Sequence, residues 1–522
     1  MSFLRSVALI CFGAISTLSA VTYTAATCGR ADVQTAINQH ISSPADGDII
    51  SIPSGSCTWT GTTAVTATFT KSVTIQGAGA ISSISGGSST TGTDITVITD
   101  NINHSTGPTT SIGLTTTAGK SLRFTGIAVL MNASSTNTNS GVIRISGPST
   151  SVRVDHNHFF TTDGNTMIYF AGNVTGVADH NYFENEPGSL TTTMGFYTGQ
   201  TWNGDTAGFG DESWHDSDHW GTASFIYIED SRFTNGDLCD AHDGARYALR
   251  YSTITTTAVG HGQMFNHGLN NGRARGVRAA EIYNNSFIQP GSPGAGNPVY
   301  SLNSGTLLFW GNTVTQYRYA IQIDYTRKDN ASYTFAAPPN GWGYCNAAGT
   351  FTNWDGPTPG YPCMDAPGYG SGDLLTGAFP NVLNSRTGTI AWPQQILSPV
   401  YTWGNNFTPS DGYGDATFLG HETMFVANRD YYLANGSFNG TTGVGSGLLS
   451  ARPSTCTAGP GGNQSGVAYW ATDQNTLYVC NPTNTWVAYY TPYAYPHPLQ
   501  GGGSGGGLSA GGKYTTGGKV TR

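Results

Sequence analysis

Charged residues are scarce in this chain of 522 residues. Only 10% of the residues are charged, with 22 Lys and Arg against 31 Asp and Glu, whereas about a quarter are charged in an ordinary soluble domain. The net charge of −9 argues against nucleic acid as a partner, which normally requires a basic face. Disordered chains combine high net charge with few aromatic residues, and 11% of this chain is aromatic, so we expect a folded protein.

Strong helix formers and long apolar runs are also few. Leu, Glu, Lys and Ala do not dominate the composition, whereas β-branched and aromatic residues and 71 Gly do, which favours strands and turns over a helical bundle. The apolar run VALICFGAI follows Arg5 and precedes small residues that end at Ala20, a pattern typical of a signal peptide over residues 1–20. No later run reaches about 18 apolar residues. We therefore expect a secreted, extracellular monomer without a membrane span.

The eight cysteines fit export to an oxidising compartment. Cys11 lies in the predicted signal peptide, which leaves seven. Spacing along the chain suggests three local disulfides: Cys28 with Cys57, Cys345 with Cys363, and Cys456 with Cys480. The remaining thiol, Cys239, is interpreted as a buried small apolar residue rather than a reactive group.

Short strands with a similar ending recur through the middle of the chain. Each has an apolar strand, a small polar residue, and an apolar anchor two positions later. Anchors lie 21–33 residues apart, with one interval of 50 that corresponds to about two repeats: Ile127, Phe159, Phe183, Phe233, Ile254, Phe287 and Val314. Strand repeats of this length indicate a solenoid.

Three columns of this alignment support parallel stacking, because side chains alternate across a strand with period two. The position five before the anchor is always apolar: Leu122, Val154, Ala178, Ile228, Leu249, Ile282 and Phe309. The next position faces the other way and is polar or aromatic: Arg123, Asp155, Asp179, Glu229, Arg250, Tyr283 and Trp310. The position two before the anchor suits a stacked polar ladder at a turn: Thr125, Asn157, Asn181, Ser231, Ser252, Asn285 and Asn312. An all-β parallel β-helix accounts for all three columns.

Several motifs resemble those of pectin-lyase-like right-handed parallel β-helices. The segment CGRADVQTAINQHISSPADGDIISIPSG at residues 28–55 is similar to their N-terminal cap and first coil. The segments VDHN and ADHN resemble strand ends of pectate lyases, and RARGVRAAEIYNNSF at 273–287 resembles the strand near their catalytic arginine. The resemblance covers about residues 28–325 and implies a right-handed β-helix that degrades polysaccharides.

The predicted organisation has four parts. Residues 1–20 form the signal peptide, and residues 21–440 form the β-helix domain with long loop excursions at 186–224 and 325–396. Residues 441–499 form a small disulfide-linked β unit, and the Gly-rich residues 500–522 form a flexible tail.

The scarce charges concentrate in one part of the predicted solenoid. Five of the 22 basic residues fall between residues 246 and 278, where three coils bring acids, histidines and arginines together. The candidate catalytic residues are Asp240, His242, Asp243, Arg250, His261, His267, Arg275 and Arg278. The candidate substrate-binding residues beside them are Arg246, Glu229, Glu281 and Tyr283. The structural alternative is an outward salt-bridge ladder of Glu229, Arg250 and Glu281, which adds little stability.

A lyase acting on a uronate polysaccharide would use such a set of groups. The enzyme removes the proton next to a carboxylate, so it needs donors on the carboxylate, a base and a proton source. The arginine fork suits the carboxylate, although arginine is a poor base. Chemistry alone assigns the base to His242, His261 or His267 and the acid to Tyr251 or Tyr283. The pectate-lyase resemblance instead implies Arg275 or Arg278 as the base.

Two other functions stay open. Polygalacturonases share the β-helix, and Asp240, Asp243, the Gly-His-Gly at 260–262 and the Arg-Ala-Arg at 273–275 resemble their motifs, so two carboxylates could act in an inverting hydrolase. A secreted solenoid that binds glycans without cleaving them would also use aromatic walls, for which Trp202, Trp214 and Trp220 are candidates. No cofactor is certain, although the acidic segment HDSDH at 215–219 with Asp211 could ligate Ca²⁺.

Overall fold

The structure, a computed structural model, describes residues 19–131, 141–161, 166–185, 196–199, 218–235, 238–242, 244–256, 264–266, 276–289, 298–323, 367–370, 396–408, 418–420 and 425–501. Almost all of the predicted signal peptide and the Gly-rich tail beyond Gly501 lie outside these residues. Within the described part, the chain is mostly strand and forms three long parallel sheets.

The three sheets are formed by strands that follow one another in rotation along the chain. Sheet A contains Thr22–Thr24, Asp48–Ser51, Val73–Gln76, Leu122–Thr125, Val152–Asp155, Gly176–Asp179, Ile226–Glu229, Arg246–Arg250, Ala279–Tyr283, Thr306–Trp310, Val400–Trp403 and Tyr431–Tyr432. Sheet B contains Gly55–Gly61, Thr96–Ile102, Ala128–Met131, His158–Thr161, Tyr182–Asn185, Arg232–Thr234, Thr253–Thr255, Ser286–Ile288, Thr313–Thr315 and Asn406–Thr408. Sheet C contains Val65–Thr68, Ile112–Thr115, Ile143–Ser146, Ile168–Ala171, Phe196–Gly199, Cys239–His242, Met264–Asn266, Pro298–Leu302, Tyr319–Ile323 and Phe418–Gly420. This order is compatible with the predicted all-β parallel solenoid.

Two-residue turns connect sheet A to sheet B from Leu122 onwards. The first residue of each turn has positive φ, and the chain places Gly, His, Asp, Tyr or Asn there: Gly126, His156, His180, Asp230, Tyr251, Asn284, Gly311 and Gly404. From the second of these turns onwards the second residue forms the predicted polar ladder, in which the Asn157 amide donates to Asn181 Oδ1 at 3.0 Å and the Asn285 amide donates to Asn312 Oδ1 at 3.1 Å. In the first turn that residue is Ile127, and the predicted member Thr125 is the last residue of its strand. The longer connections along this part of the chain therefore lead into or out of sheet C.

The register confirms the sequence alignment except at its first repeat. Phe159, Phe183, Phe233, Ile254, Phe287 and Val314 pair in succession, and the Phe159, Phe183 and Phe233 rings stack at 4.9 and 4.6 Å. The partner of Phe159 is Val129, not Ile127, and the partner of Val154 is Phe124, not Leu122. The alignment is wrong there by two residues because a shift of two leaves every side chain on its predicted face.

The apolar columns fill the interior between the sheets. The corrected core column is fully buried, and it runs through Phe124, Val154, Ala178, Ile228, Leu249, Ile282 and Phe309. At the N-terminal end the helix Arg30–Ser42 covers the edge of sheet C, where Gln34 pairs with the backbone N–H and C=O of Thr66 at 2.9 and 3.0 Å. The helix thus protects an otherwise unpaired sheet edge.

The C-terminal part of the described chain packs on the outer face of sheet A. A four-stranded sheet is formed by Val444–Gly447, Ala468–Ala471, Thr476–Cys480 and Trp486–Tyr490. Residues 491–501, which we call the strap, then run in an irregular conformation over the sheet A strands. Short 3-10 turns at Ser85–Gly87, Leu449–Ala451 and Pro460–Gly462 and the small strand pairs Ser82–Ser83 with Thr90–Thr91 and Tyr369–Gly370 with Ile396–Leu397 complete the described elements.

Two of the predicted disulfides are confirmed, Cys28–Cys57 and Cys456–Cys480. The third, between Cys345 and Cys363, lies outside the described residues. Cys239 is buried in the core, as predicted. Within the described residues, no helix is long and apolar enough to span a bilayer.

Candidate functional site

The predicted charged patch exists as a cluster, but the strap covers it. Glu229, Arg250 and Tyr283 are register neighbours on sheet A, and the side chains of Arg250 and Glu229 are fully buried. The sequence predicted an open patch at these positions. Solvent is excluded from these side chains because the strap lies on top of them. Spacing in the sequence did not connect the strap with this face of sheet A.

Arg250 uses its guanidinium to hold the strap. Its Nε pairs with Glu229 Oε2, and its terminal nitrogens donate to the carbonyl oxygens of Tyr493 and Ala494, each at 2.7 Å, and to the Tyr283 hydroxyl at 2.8 Å. The guanidinium carbon also lies 4.5 Å from the centre of the Tyr227 ring. All of these contacts are internal, so the arginine has no free face for a substrate carboxylate.

The acids of this cluster are likewise occupied. Glu229 Oε1 accepts from the backbone N–H of His497 at 2.7 Å and from the Gln500 amide. Glu281 accepts from the backbone N–H of Gly221 at 2.7 Å and from the Tyr490 hydroxyl at 3.1 Å. Burial raises the pKa of Glu281 to about 7 in spite of these two donors. Burial also raises the pKa of Glu229, although the charge of Arg250 opposes the shift.

The remaining described candidates near this cluster have structural contacts. Arg278 is buried and pairs with Asp218, whose carboxylate also accepts from the Ser398 hydroxyl at 2.9 Å. Arg246 is buried and donates to the Gly244 carbonyl at 3.4 Å. Trp220, predicted to stack on sugar, donates from Nε1 to the Tyr489 hydroxyl at 3.0 Å and packs between sheet A and the C-terminal unit. These internal contacts account for the burial of the three side chains without a role in substrate binding.

The other candidates belong to sheet C or lie outside the residues that the structure describes. Asp240 and His242 are in the sheet C strand Cys239–His242, where Asp240 is paired in register with Tyr197 and Phe265. Asp243, His261, His267, Arg275, Trp202 and Trp214 lie outside the described residues, as do Asp211, His215 and Asp216 of the predicted Ca²⁺ segment. In sequence, His242 follows Ala241 and His267 follows Asn266, and these two preceding residues are register partners.

The outer face of sheet C carries a groove beside the N-terminal helix. Its volume is about 390 Å³, and it is lined by Ile41, Thr66, Ala67, Thr68, Gly113, Thr115, Arg144 and Ser146. Most of these side chains belong to one face of neighbouring strands, where Thr66 pairs with Gly113 and Gly113 with Arg144. Gly113 has no side chain, which leaves the floor of the groove open.

Arg144 is the charged group of this groove. Its guanidinium carbon lies 4.4 Å from the centre of the Tyr169 ring, and Arg144 and Tyr169 are register neighbours. No carboxylate of the described residues pairs with Arg144. The same column continues from Tyr169 through Tyr197 to Asp240, about 14 Å beyond Arg144 at three strand spacings of about 4.8 Å. An aromatic-backed arginine among hydroxyl groups can bind a carboxylate.

One further group of potential metal ligands lies at the A-to-B turns. Asp155, His156 and Asp179 present ligand atoms within 4.8 Å of one another. Arg123 donates two hydrogen bonds to the Asp155 carboxylate, at 2.7 and 2.6 Å. Arg153 donates two to the Asp179 carboxylate, both at 2.9 Å. Because arginines already neutralise both carboxylates, we do not assign a metal to this group.

Sequence reasoning missed the strap and the Arg144 groove. Apolar and polar residues alternate in the strand Ile143–Ser146, which places Arg144 on the outer face. The sequence therefore contained a signal for this position. The strap left none, since no repeat in the sequence relates residues 491–501 to the sheet A strands. No protein-family profile, curated protein or solved structure matches this chain.

Proposed function

We propose that the protein is an extracellular enzyme that binds a uronate-containing polysaccharide on the outer face of sheet C and cleaves it by β-elimination. The observation that carries the proposal is Arg144, which lies over Tyr169 in a hydroxyl-lined groove without a carboxylate partner among the described residues. The two disulfides fit an oxidising, extracellular location.

Substrate recognition follows from the groove's chemistry. The Arg144 guanidinium would hold a uronate carboxylate through two parallel hydrogen bonds. The Thr66, Thr115 and Ser146 side chains border the same groove, and their hydroxyls would accept and donate to sugar hydroxyls. The sheet C column extends the surface towards Asp240, so a polymer of several sugar units fits it better than a single sugar.

The acid and base of the reaction are proposed to come from the sheet C strand Cys239–His242 and the segments next to it. A base removes the proton next to the carboxylate, the electron pair forms a carbon–carbon double bond, the glycosidic C–O bond breaks, and the leaving oxygen takes a proton. His242, His261, His267, Asp240 and Asp243 are the candidates.

We also propose that the three sheets close into a right-handed parallel β-helix. Its support is the rotation of successive strands through sheets A, B and C and the strong preference of parallel crossover connections for the right-handed sense. In this arrangement the connections from sheet A to sheet B are two-residue turns, and the longer loops lead into or out of sheet C. Binding and catalytic residues are disproportionately found on such loops over a rigid scaffold.

The test follows two products after incubation of the purified protein with polygalacturonate, alginate and a neutral glucan. We expect ultraviolet absorbance from an unsaturated product with at least one uronate polymer, and none with the glucan. New reducing ends without absorbance would indicate hydrolysis, and retention of polymer without either product would indicate a binding protein; both results contradict β-elimination.

The variant Arg144→Gln connects the activity with the groove. Hydrogen bonds to charged groups contribute roughly 1.5–3 kcal/mol, so we expect kcat/KM to fall roughly 10- to 100-fold. Lys71→Gln removes one exposed basic charge beside Asp46, outside the groove, and should leave kcat/KM unchanged. Equal losses in both variants would indicate a general charge effect rather than a groove contact.

A further inference from the structure

A small hairpin that contacts the A-to-B turns contains an exposed serine. The strands Ser82–Ser83 and Thr90–Thr91 pair, and the tight turn Ser85–Gly87 lies between them. The hairpin is anchored on the A-to-B turns, because Ser83 N–H donates to the His180 carbonyl at 3.1 Å and Gly86 N–H donates to Asp230 Oδ1 at 2.8 Å. This anchoring fixes the position of Ser85 on the solenoid.

Ser85 is the first member of a chain of three groups. Its Oγ lies 3.3 Å from His180 Nε2, and His180 Nδ1 lies 2.9 Å from Asp179 Oδ2. The serine contacts one ring nitrogen and the aspartate contacts the other. This is the connectivity of a nucleophile, a general base and the carboxylate that orients the base.

The base and the carboxylate are held rigidly. Asp179 is fully buried, and both of its oxygens accept from the Arg153 fork. The His156 ring stacks on the His180 ring at 5.0 Å with parallel planes. Ser85 itself is exposed, so its oxygen can reach a group outside the protein while its partners stay fixed.

We propose that Ser85, His180 and Asp179 form a serine esterase site that hydrolyses carboxylic esters. It is separate from the sheet C groove and does not depend on the function proposed there.

The reaction balances with water as the only co-reactant. Ser85 Oγ attacks the ester carbonyl carbon and passes its proton to His180 Nε2; the ester C–O bond breaks, and the leaving alcohol takes that proton. Water then attacks the acyl-serine, its proton goes to His180, and the carboxylic acid leaves as Ser85 is restored. The Ser85 N–H is the first N–H of its turn and has no hydrogen-bond acceptor among the described residues, so it can donate to the oxyanion.

The charges around His180 support its role as base. Burial lowers the pKa of His180, but the hydrogen bond and charge of Asp179, helped by Asp230, outweigh burial and the opposing charge of Arg153, so that the pKa is raised. His156 is the other titratable group that faces the ring. A raised pKa makes the neutral histidine a stronger base.

The test uses p-nitrophenyl acetate and a fluorophosphonate with the full-length protein. We expect hydrolysis of the ester and a single phosphonylated peptide that contains Ser85. Ser85→Ala and His180→Asn should each lower kcat/KM by at least roughly 100-fold. Asn is suitable at position 180 because Asn284 has the same positive φ at the equivalent turn position.

The control is Ser88→Ala, which removes a hydroxyl from the same hairpin and leaves its backbone carbonyl to accept from Arg232. It should retain full activity, and all three variants should unfold at the wild-type temperature. Hydrolysis by Ser85→Ala at the wild-type rate, or no label on Ser85, would overturn the proposal.

Discussion

At the residue scale, the main feature is a set of ionised groups buried between sheet A and the strap. Taking such charges out of water is costly, and only close partners offset the cost. Arg250, Glu229 and the strap carbonyls provide those partners. A charge-poor chain thus retains several of its charges to hold two parts of the molecule together.

Arg250→Ala tests this role of the buried arginine. The substitution leaves Glu229 buried without its counter-charge, so we expect the free energy of unfolding to fall by roughly 3–5 kcal/mol in denaturant titrations. Arg123→Ala is the matched control, because Arg123 is partly exposed and its partner Asp155 keeps Arg153; the loss should stay within about 1 kcal/mol. Equal midpoints for Arg250→Ala and wild type would contradict a stabilising role.

Glu281 should make stability depend on pH. Its pKa is raised by burial from 4.5 to about 7, so the folded protein binds the proton more tightly than the unfolded chain. The resulting stabilisation, on the order of 3 kcal/mol, is complete below pH 4.5 and is lost as pH rises through about 7.

Glu281→Gln isolates this contribution. Wild type should lose stability relative to the variant between pH 4.5 and 8 in chemical denaturation series. Burial and the nearby arginines lower the pKa of His497 to about 3, but that effect is common to both proteins and cancels. A constant difference across the range would show that Glu281 does not titrate in this way.

At the scale of elements, alternation and turn chemistry predicted much of the solenoid. The core column and the asparagine ladder could be predicted because successive repeats have the same type of residue at equivalent positions. The first repeat slipped by two residues, since Leu122 and Phe124 suit the buried face equally well. The burial of the Arg250 cluster could not be predicted, because no repeat in the sequence relates residues 491–501 to the sheet A strands that their backbone groups and aromatic rings contact.

Removal of the strap tests its contribution directly. A chain that ends at Tyr490 loses the acceptors for Arg250 and Arg153 and the donors to Glu229, so we expect unfolding stability to fall by at least roughly 2 kcal/mol. A chain that ends at Gly501 keeps every described strap contact and should match wild type. Identical unfolding curves for the two truncations would mean that the strap does not stabilise sheet A.

At the scale of the whole molecule, the outer faces of sheets A and C differ in what covers them. The side of sheet A is closed by the C-terminal unit, whereas the outer face of sheet C near the helix keeps an open groove with Arg144 as its charge. The longer connections lead into or out of sheet C, and the strand Cys239–His242 of that sheet contains the candidates Asp240 and His242. The charges that the sequence grouped between residues 246 and 278 include Arg250 and Arg278, which are buried in structural contacts, whereas Arg144 of the groove was not among them.

The placement of the polysaccharide on sheet C is tested by a binding titration of polygalacturonate with wild type, Gly113→Leu and Gly436→Leu. A Cβ at Gly113 would lie 3.6 Å from the methyl groups of Thr66 and Thr110, an ordinary contact distance, so the backbone admits a leucine whose remaining atoms extend into the groove. A Cβ at Gly436 would have nothing within 4 Å, so the same change is possible there. We expect Gly113→Leu to weaken binding at least roughly 10-fold, or about 1.4 kcal/mol, and Gly436→Leu to bind as wild type. Unchanged binding by a folded Gly113→Leu protein would contradict the placement of the polysaccharide on sheet C.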